Sequence, residues 1–358
     1  MFDEETTLSS GITSTGPPPN RPTMRDVAKL AGVALKTVSR VFNNVPSVDP
    51  ELARRTREAA AKLGYRPNLT ASALRRLDGR TATVGLLLED VGNPFSAALH
   101  RAVENVARSR GSLVLTGSLD EDPARERELA NALLDRQVDG LIIVPAGQDH
   151  SYLAADQRNG LHVVFLDRPP VMLWADAVTA DNTAGARLAV DHLLADGHRR
   201  IAYLGDRTSI HTAQARYDGY REALEIAGRT VDPTLVRHDL RTVTAAAAAV
   251  TDLLALGDPP SAMFTSQNLV TIGAAQALRA ANRQHTVGLV GFDDFLLADA
   301  LDPPITVIAQ DAPTMGRLAA ELLFAQLDGQ GPTGTIHLVP TRLVVRGSGE
   351  IPGPPPRC

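Results

Sequence analysis

Asp167 directly follows the apolar run Val163–Leu166, Asp293 follows Val290-Gly291-Phe292, and Gln267 comes just after Met263-Phe264. Arg216 stands early in a helical stretch after Tyr203-Leu204, and Phe95 comes shortly after Val84–Leu88. If those runs are parallel strands, all five residues lie near carboxyl ends, where ligands of α/β sheets collect. Carboxylates accept from paired hydroxyls and a guanidinium donates in a fork, so Asp167, Arg216 and Asp293 suit a small polyhydroxylated ligand. Phe95 could stack on a sugar or base ring. Three of them also have a plainer use: Asp293-Asp294 as a helix cap, Arg216 as half of a surface ion pair, Phe95 as core.

Catalytic patterns are missing. The chain has no Gly-rich phosphate loop, no His-Glu-x-x-His and no Gly-x-Ser-x-Gly, and its nine histidines lack metal-ligand spacing. No enzyme activity, cofactor or metal is expected. Cys358, the single cysteine, closes off an internal disulfide framework.

The elements that must position the five residues follow from periodicity. From Thr83 onward short β-branched or Leu-rich runs alternate with amphipathic stretches. Expected strands include Val84–Leu88, Leu113–Thr116, Gly140–Val144, Val163–Leu166, Ile201–Leu204, Ala262–Phe264 and Leu289–Val290. Expected helices include Ser96–Ser109, Ala124–Arg136, Ala184–Asp196 and Ala312–Leu327. This βαβα order gives parallel sheets covered by helices.

The front of the chain differs. Val27, Leu30 and Ala31 fall at helical spacing, Gly32 breaks the run, and a second short helix follows with Val38 and Val41 inward and Lys36, Ser39 and Arg40 outward. Thr23 is a good N-cap, and Asp49-Pro50-Glu51 starts a third helix running to about Leu63. This is a helix-turn-helix pattern whose second helix can enter a major groove. Between Arg21 and Arg80 thirteen Lys/Arg face five Asp/Glu, a local +8 in a chain of net −5; residues 81–358 carry −10. That asymmetry fits a DNA module fused to an acidic globular part.

The chain resembles the lactose/galactose-repressor (LacI/GalR) family of bacterial transcription regulators. The residues TMRDVAKLAGVALKTVSRVFN from Thr23 to Asn43, LGYRPN at 63–68 and ALRR at 73–76 are similar to its DNA-binding and hinge signature. Then GNPF at 92–95, the Asp181-Asn182 and Gly185-Ala186 pairs, GHRRIAYLG at 197–205, Arg216 with Gly219-Tyr220, VGFDDF at 290–295 and LVVRGS at 343–348 follow in family order. The resemblance implies an N-terminal all-α helix-turn-helix domain plus an α/β two-lobed periplasmic-binding-protein-like core with parallel sheets. It implies an effector-responsive, sequence-specific repressor of genes for sugar or related small-molecule metabolism. Leu35, Lys36 and Arg40 would face base edges, while Thr23, Thr37, Ser39 and Asn43 contact phosphate; Leu74 would wedge into the minor groove. Phe95, Asp167, Arg216, Gln267 and Asp293 match positions lining the family's effector pocket. Two residues depart from the family pattern. Ala34 stands where Ser commonly precedes the recognition helix, and Gln267-Asn268 stands where Asn-Asp is frequent.

The expected domains are a disordered extension at 1–22, the helix-turn-helix domain at 23–67, a hinge helix and linker at 68–80, the core at 81–348 and a disordered tail at 349–358. One lobe is expected to hold about 81–179 plus 312–330, the other about 180–311 plus 331–348. The expected partners are near-palindromic double-stranded operator DNA, a sugar-like effector and a second copy of the chain; no membrane is involved. No signal pattern or long apolar stretch is present, which points to the cytoplasm. The alternative in a different class is a two-lobed solute-binding protein acting in transport. The basic front segment argues against it.

Overall fold

Thr23 starts the first helix by a reciprocal cap: its backbone N–H donates to the Asp26 carboxylate at 2.7 Å, and its hydroxyl accepts from the Asp26 amide. The computed structural model describes residues 22–42, 45–66 and 80–355. Its contacts divide into two units between Thr81 and Ala82.

In the first unit α1 (Met24–Ala31) ends at Gly32, whose φ of +63° is the left-handed conformation that favours glycine. After it come α2 (Leu35–Phe42) and α3 (Pro50–Leu63), the latter opened by Asp49, which accepts from the Glu51 and Leu52 amides. Val27, Ala28, Ala31, Val38, Ala59 and Ala60 form the core, with Phe42 and Tyr65 in ring contact at its edge. Ala28 completes the buried stripe of α1. Leu30, expected at the same helical spacing, is about half exposed.

The second unit contains two six-stranded sheets. The first lobe comprises β1 (Thr83–Leu88), α4 (Pro94–Ser109), β2 (Leu113–Ser118), α5 (Pro123–Asp135), β3 (Gly140–Ile143), a short α6 (Ala154–Arg158), β4 (His162–Leu166) and β5 (Asp176–Ala180). The second comprises α7 (Asn182–Ala195), β6 (Ile201–Leu204), α8 (His211–Ile226), β7 (Val236–Arg237), α9 (Val243–Leu254), β8 (Ala262–Thr265), α10 (Asn268–Ala280), β9 (Gly288–Phe292) and β10 (Thr306–Ala309). The chain then returns with α11 (Ala312–Leu327) and β11 (Ile336–Val339) to the first lobe and ends with β12 (Arg342–Val344) in the second.

Strand orders are β11-β5-β4-β3-β1-β2 and β12-β10-β9-β8-β6-β7, all parallel except β12, which runs antiparallel to β10. The inner strands are buried on both faces and mostly apolar, whereas the edge strands β2, β7, β11 and β12 are partly exposed. Leu86 and Leu88 pack toward Leu99, Val103 and Met315 on one face, and Leu87 packs toward Ala130 and Leu133 on the other. In the second lobe, Tyr203, Phe264 and Phe292 fill one face while Leu204, Met263 and Leu289 fill the other.

Two boundaries differ from the sequence expectations. Residues 331–348 do not all join the second lobe: Ile336–Val339 pairs in register with Ala177–Ala180 of β5, so the last crossing falls at Pro340-Thr341. Alternating apolar and polar residues mark an edge strand but not the sheet it joins. The tail expected to be disordered from 349 is held through Gly353. Glu350 approaches His192 Nε2 at 2.6 Å, the His198 ring nitrogen meets the Ile351 carbonyl at 2.8 Å, and the Gly353 amide donates to Asp196 O.

Helix pairs close on small residues. A Cβ at Gly219 of α8 would overlap the Thr183 carbonyl of α7, and one at Gly273 of α10 would overlap the Val243 carbonyl of α9. Backbone cannot yield as a flexible side chain does, so Gly219→Ala is expected to lower stability by about 1–3 kcal/mol, outweighing a helix-propensity gain of about 1 kcal/mol. A urea midpoint at or above wild type would show that the pair accommodates the methyl group.

Candidate functional site

On α2, Val38 and Val41 are buried while Leu35, Lys36 and Arg40 are exposed, and Thr37 and Ser39 are half-buried. The helical period therefore puts one apolar and two basic side chains on a common outer face of a short helix. Ala34 accepts the Thr37 and Val38 amides through its carbonyl but has no side-chain oxygen to cap the helix. The Thr23 hydroxyl is engaged with Asp26 at 2.7 Å. Asn43 and Leu74 lie outside the described residues.

The other five expected residues, Phe95, Asp167, Arg216, Gln267 and Asp293, line one cleft between the lobes of the second unit. Asp167 and Asp293 occupy equivalent turns. Each follows a strand end, β4 or β9, with φ of +68° and +71°, and each amide donates to the next strand, at Val178 and Ile308. Asp tolerates this left-handed conformation better than most residues, so the turn aims both carboxylates out of the sheet ends.

Arg216, 6% exposed, is held by three segments. Its Nε donates to Asn182 Oδ1 at 2.7 Å, its Nη1 to the Ser266 carbonyl at 2.7 Å and, at 3.5 Å, to Asp293, and the guanidinium lies 3.9 Å over the Phe292 ring. The plainer uses of Arg216 and Asp293 do not apply. Arg216 is buried and paired inside the cleft wall, and Asp293 receives the Gln310 amide at 2.5 Å. Phe95 packs partly against the first-lobe core and partly faces the cleft. Gln267 donates to Leu240 O from the start of α10.

Several wall residues were not anticipated. Glu89, Glu121, Arg168, Asp206 and Gln310 share the same cleft. Glu89 directly follows β1, Glu121 and Asp206 come shortly after β2 and β6, and Gln310 follows β10, so the strand-end rule applied to every strand finds them. Arg168 donates to both carboxylate oxygens of Glu121 and to Pro145 O, a fork that ties the loops after β2, β3 and β4. Among the described residues two side-chain hydrogen bonds cross the cleft between the lobes: Asn268 Nδ2 to Asn93 Oδ1 at 3.1 Å and Gln148 Nε2 to Ser209 O at 2.7 Å.

The cleft has an inner chamber of about 60 Å³ and, sharing Glu121, Arg168 and Ile210 with it, an outer chamber of about 570 Å³. A separate hollow of about 250 Å³ beside Ile272, Leu289, Phe295 and Leu301 is mostly apolar and holds none of the five residues. Burial raises the carboxyls of Asp167 and Asp206, opposed at Asp167 first by Arg168 and then by Arg216. Burial, reinforced by the Glu121 charge, pushes Glu89 up to about 7. Among the described residues no acid or histidine group has the arrangement of a metal site, and no helix is long and apolar enough to cross a membrane.

Residues 23–68 match the bacterial regulatory proteins of the lacI family, and residues 190–349 match a periplasmic binding protein-like domain. The chain is 31% identical over 331 residues to the HTH-type transcriptional repressor CytR of Escherichia coli (strain K12), covering 91% of this chain and 96% of that protein. Among solved structures it is similar to a transcriptional regulator CelR–cellobiose complex, at TM-score 0.67 and 32% identity over 92% of this chain and 100% of that one. It is also similar to a lac repressor dimer bound to operator and the anti-inducer ONPF, at TM-score 0.81 and 26% identity over 92% of this chain and 99% of that one.

The raised Glu89 carboxyl has a pH signature. Its folded-state value lies above the ordinary 4.5, so its contribution to stability is complete below about pH 4.5, declines as pH rises and is gone above about 7. The full swing is at most about 3 kcal/mol. Thermal midpoints of effector-free protein should fall less between pH 5 and 8 in Glu89→Gln than in wild type; parallel pH profiles would remove Glu89 as a titrating group.

Proposed function

The chain belongs to the lacI family of bacterial regulatory proteins, and on that premise we propose that it is a transcription repressor whose operator affinity is set by a small hydroxylated effector bound between its two lobes. The observation that carries this is the meeting of Asp167, Arg216, Gln267 and Asp293 at strand ends around one interlobe cleft, in a chain that also holds a basic helix-turn-helix. Genes of sugar or related small-molecule metabolism are the targets this chemistry favours. The protein acts in the cytoplasm, where operator DNA is found, as a homodimer, the assembly named for the operator-bound lac repressor, and two-fold symmetry calls for a near-palindromic site.

In this proposal Leu35, Lys36 and Arg40 touch base edges, Arg40 as the guanine reader, while Thr23, Thr37 and Ser39 lie toward phosphate. Asn43 and Leu74 keep their expected DNA roles, phosphate contact and minor-groove wedge. The effector alters operator occupancy only through different affinities for the protein's DNA-competent and DNA-incompetent states.

Arg40→Ala is expected to erase preference at one operator position, a loss of about 1–3 kcal/mol of discrimination, while salt-sensitive non-specific binding persists. Selected-site binding checks it; an unchanged preference at all positions refutes the reading role. Asp293→Asn keeps a residue that tolerates positive φ but removes the charge beside Arg216, and should raise the effector dissociation constant roughly tenfold or more. Calorimetry with a ligand found by thermal-shift screening of sugars and nucleosides tests this; wild-type affinity in the variant would place the effector elsewhere.

A further inference from the structure

The cleft's polar balance is one-sided. Its inner chamber is lined by five carboxylates, Glu89, Glu121, Asp167, Asp206 and Asp293, and two guanidiniums, Arg168 and Arg216. The donors are largely spent on the protein itself: Arg168 on Glu121 and Pro145 O, Arg216 on Asn182, Ser266 O and Asp293, Gln267 on Leu240 O; the Arg168 Nε, buried without a hydrogen bond, faces Asp167 Oδ2 at 3.6 Å. Among the acceptors Glu121 is taken up by Arg168 and Asp293 by Gln310 and Arg216, while Asp167, Glu89 and Asp206 are not fully matched. Asp167 is 6% exposed, and its Oδ1 has no hydrogen-bond partner; the Gln310 Oε1 atom is likewise buried without one. The Glu89 carbonyl accepts the Leu119 and Asp120 amides, but its half-buried carboxyl is left to the long-range charges of Glu121 and Arg168. Asp206 has only its neighbour's amide and Arg241 at 3.9 Å.

Five carboxyls against two guanidiniums leave this partly buried space short of positive charge, and a cation among them would offset the surplus and favour the charged form of Glu89, which burial and the Glu121 charge oppose. No group of three or more acids or histidines among the described residues is arranged to hold a metal ion, and the roomy chamber adjoining this one favours a cation carried on an organic ligand. At about 60 Å³ the inner chamber admits a small group, and the adjoining 570 Å³ chamber, walled by Pro123, Pro145 and Pro169, has room for a ring.

Resting on the assignment of this cleft to the effector, we propose that the effector is an amino sugar or a close relative: a hydroxylated ring whose protonated amine enters the inner chamber against Asp167 and Glu89. Three N–H donors on one ammonium match the free acceptors, and its charge offsets the surplus carboxylates.

The test is thermal stabilisation of the full chain at pH 7 by glucosamine and galactosamine against glucose, galactose and N-acetylglucosamine, with magnesium chloride as a simple-cation control. The two amines should half-saturate at concentrations at least roughly tenfold below their neutral counterparts, and Glu89→Gln should shrink that ratio to about threefold or less. Equal or tighter binding of the neutral sugars, lost in Asp293→Asn, would overturn the ammonium preference while leaving the cleft as the effector site. Stabilisation by magnesium as large as by the amines would overturn it too, since the acids would then only gather counter-ions. Failure of every sugar to bind a preparation that still retains specific DNA binding also overturns it.

Discussion

A guanidinium taken out of water must be neutralised and hydrogen-bonded by the protein, or it costs several kcal/mol. Arg216 meets that demand with Asn182 at the start of α7, Ser266 after β8, and Phe292 and Asp293 at the end of β9. Its position therefore requires those segments to be where they are, and they are the segments that form the second lobe's side of the cleft. Arg168 does the corresponding work in the first lobe, joining the loops after three strands through Glu121 and Pro145. Each lobe is thus braced by one buried arginine beside one aspartate in a left-handed turn.

Between these braced walls the direct ties are few. Asn93 to Asn268 and Gln148 to Ser209 are neutral hydrogen bonds, each worth about 1 kcal/mol. Rigid walls joined by weak ties suit a two-state device: the lobes keep their shape, and a ligand touching both contributes more than the ties it joins. Regulation of this kind needs only a modest difference in affinity between states, since about 1.4 kcal/mol already changes an equilibrium tenfold.

Much of the architecture was legible in the sequence because parallel sheets bury both faces and leave uninterrupted apolar strands such as Val84–Leu88 and Val163–Leu166. The residues following the strands recognised there led to the cleft. What was not legible had local causes. Leu30 sits at helical spacing with Val27 and Ala31, yet Ala28 takes the buried place, because a three-helix core this small is closed by alanines. Strand β10, unrecognised in the sequence, carried Gln310 with it, and Glu89 was passed over for the aromatic Phe95 at the start of the following helix. The sheet to which Ile336–Val339 belongs depends on a pairing with β5 more than 150 residues away, which no local pattern encodes.

That pairing bears on how the protein is made. The strands β11 and β12 are separated only by Pro340-Thr341, and each supplies an edge to a different sheet. A ribosome that stalls before residue 336 therefore leaves both lobes unfinished at once, with β5 and β10 each presenting an open backbone edge of the kind that recruits other chains. The helix-turn-helix residues, by contrast, emerge first and pack among themselves. During synthesis the unit that reads DNA is complete before the lobes that form the cleft, so an incomplete chain carries a folded reader with no finished cleft through which an effector could act.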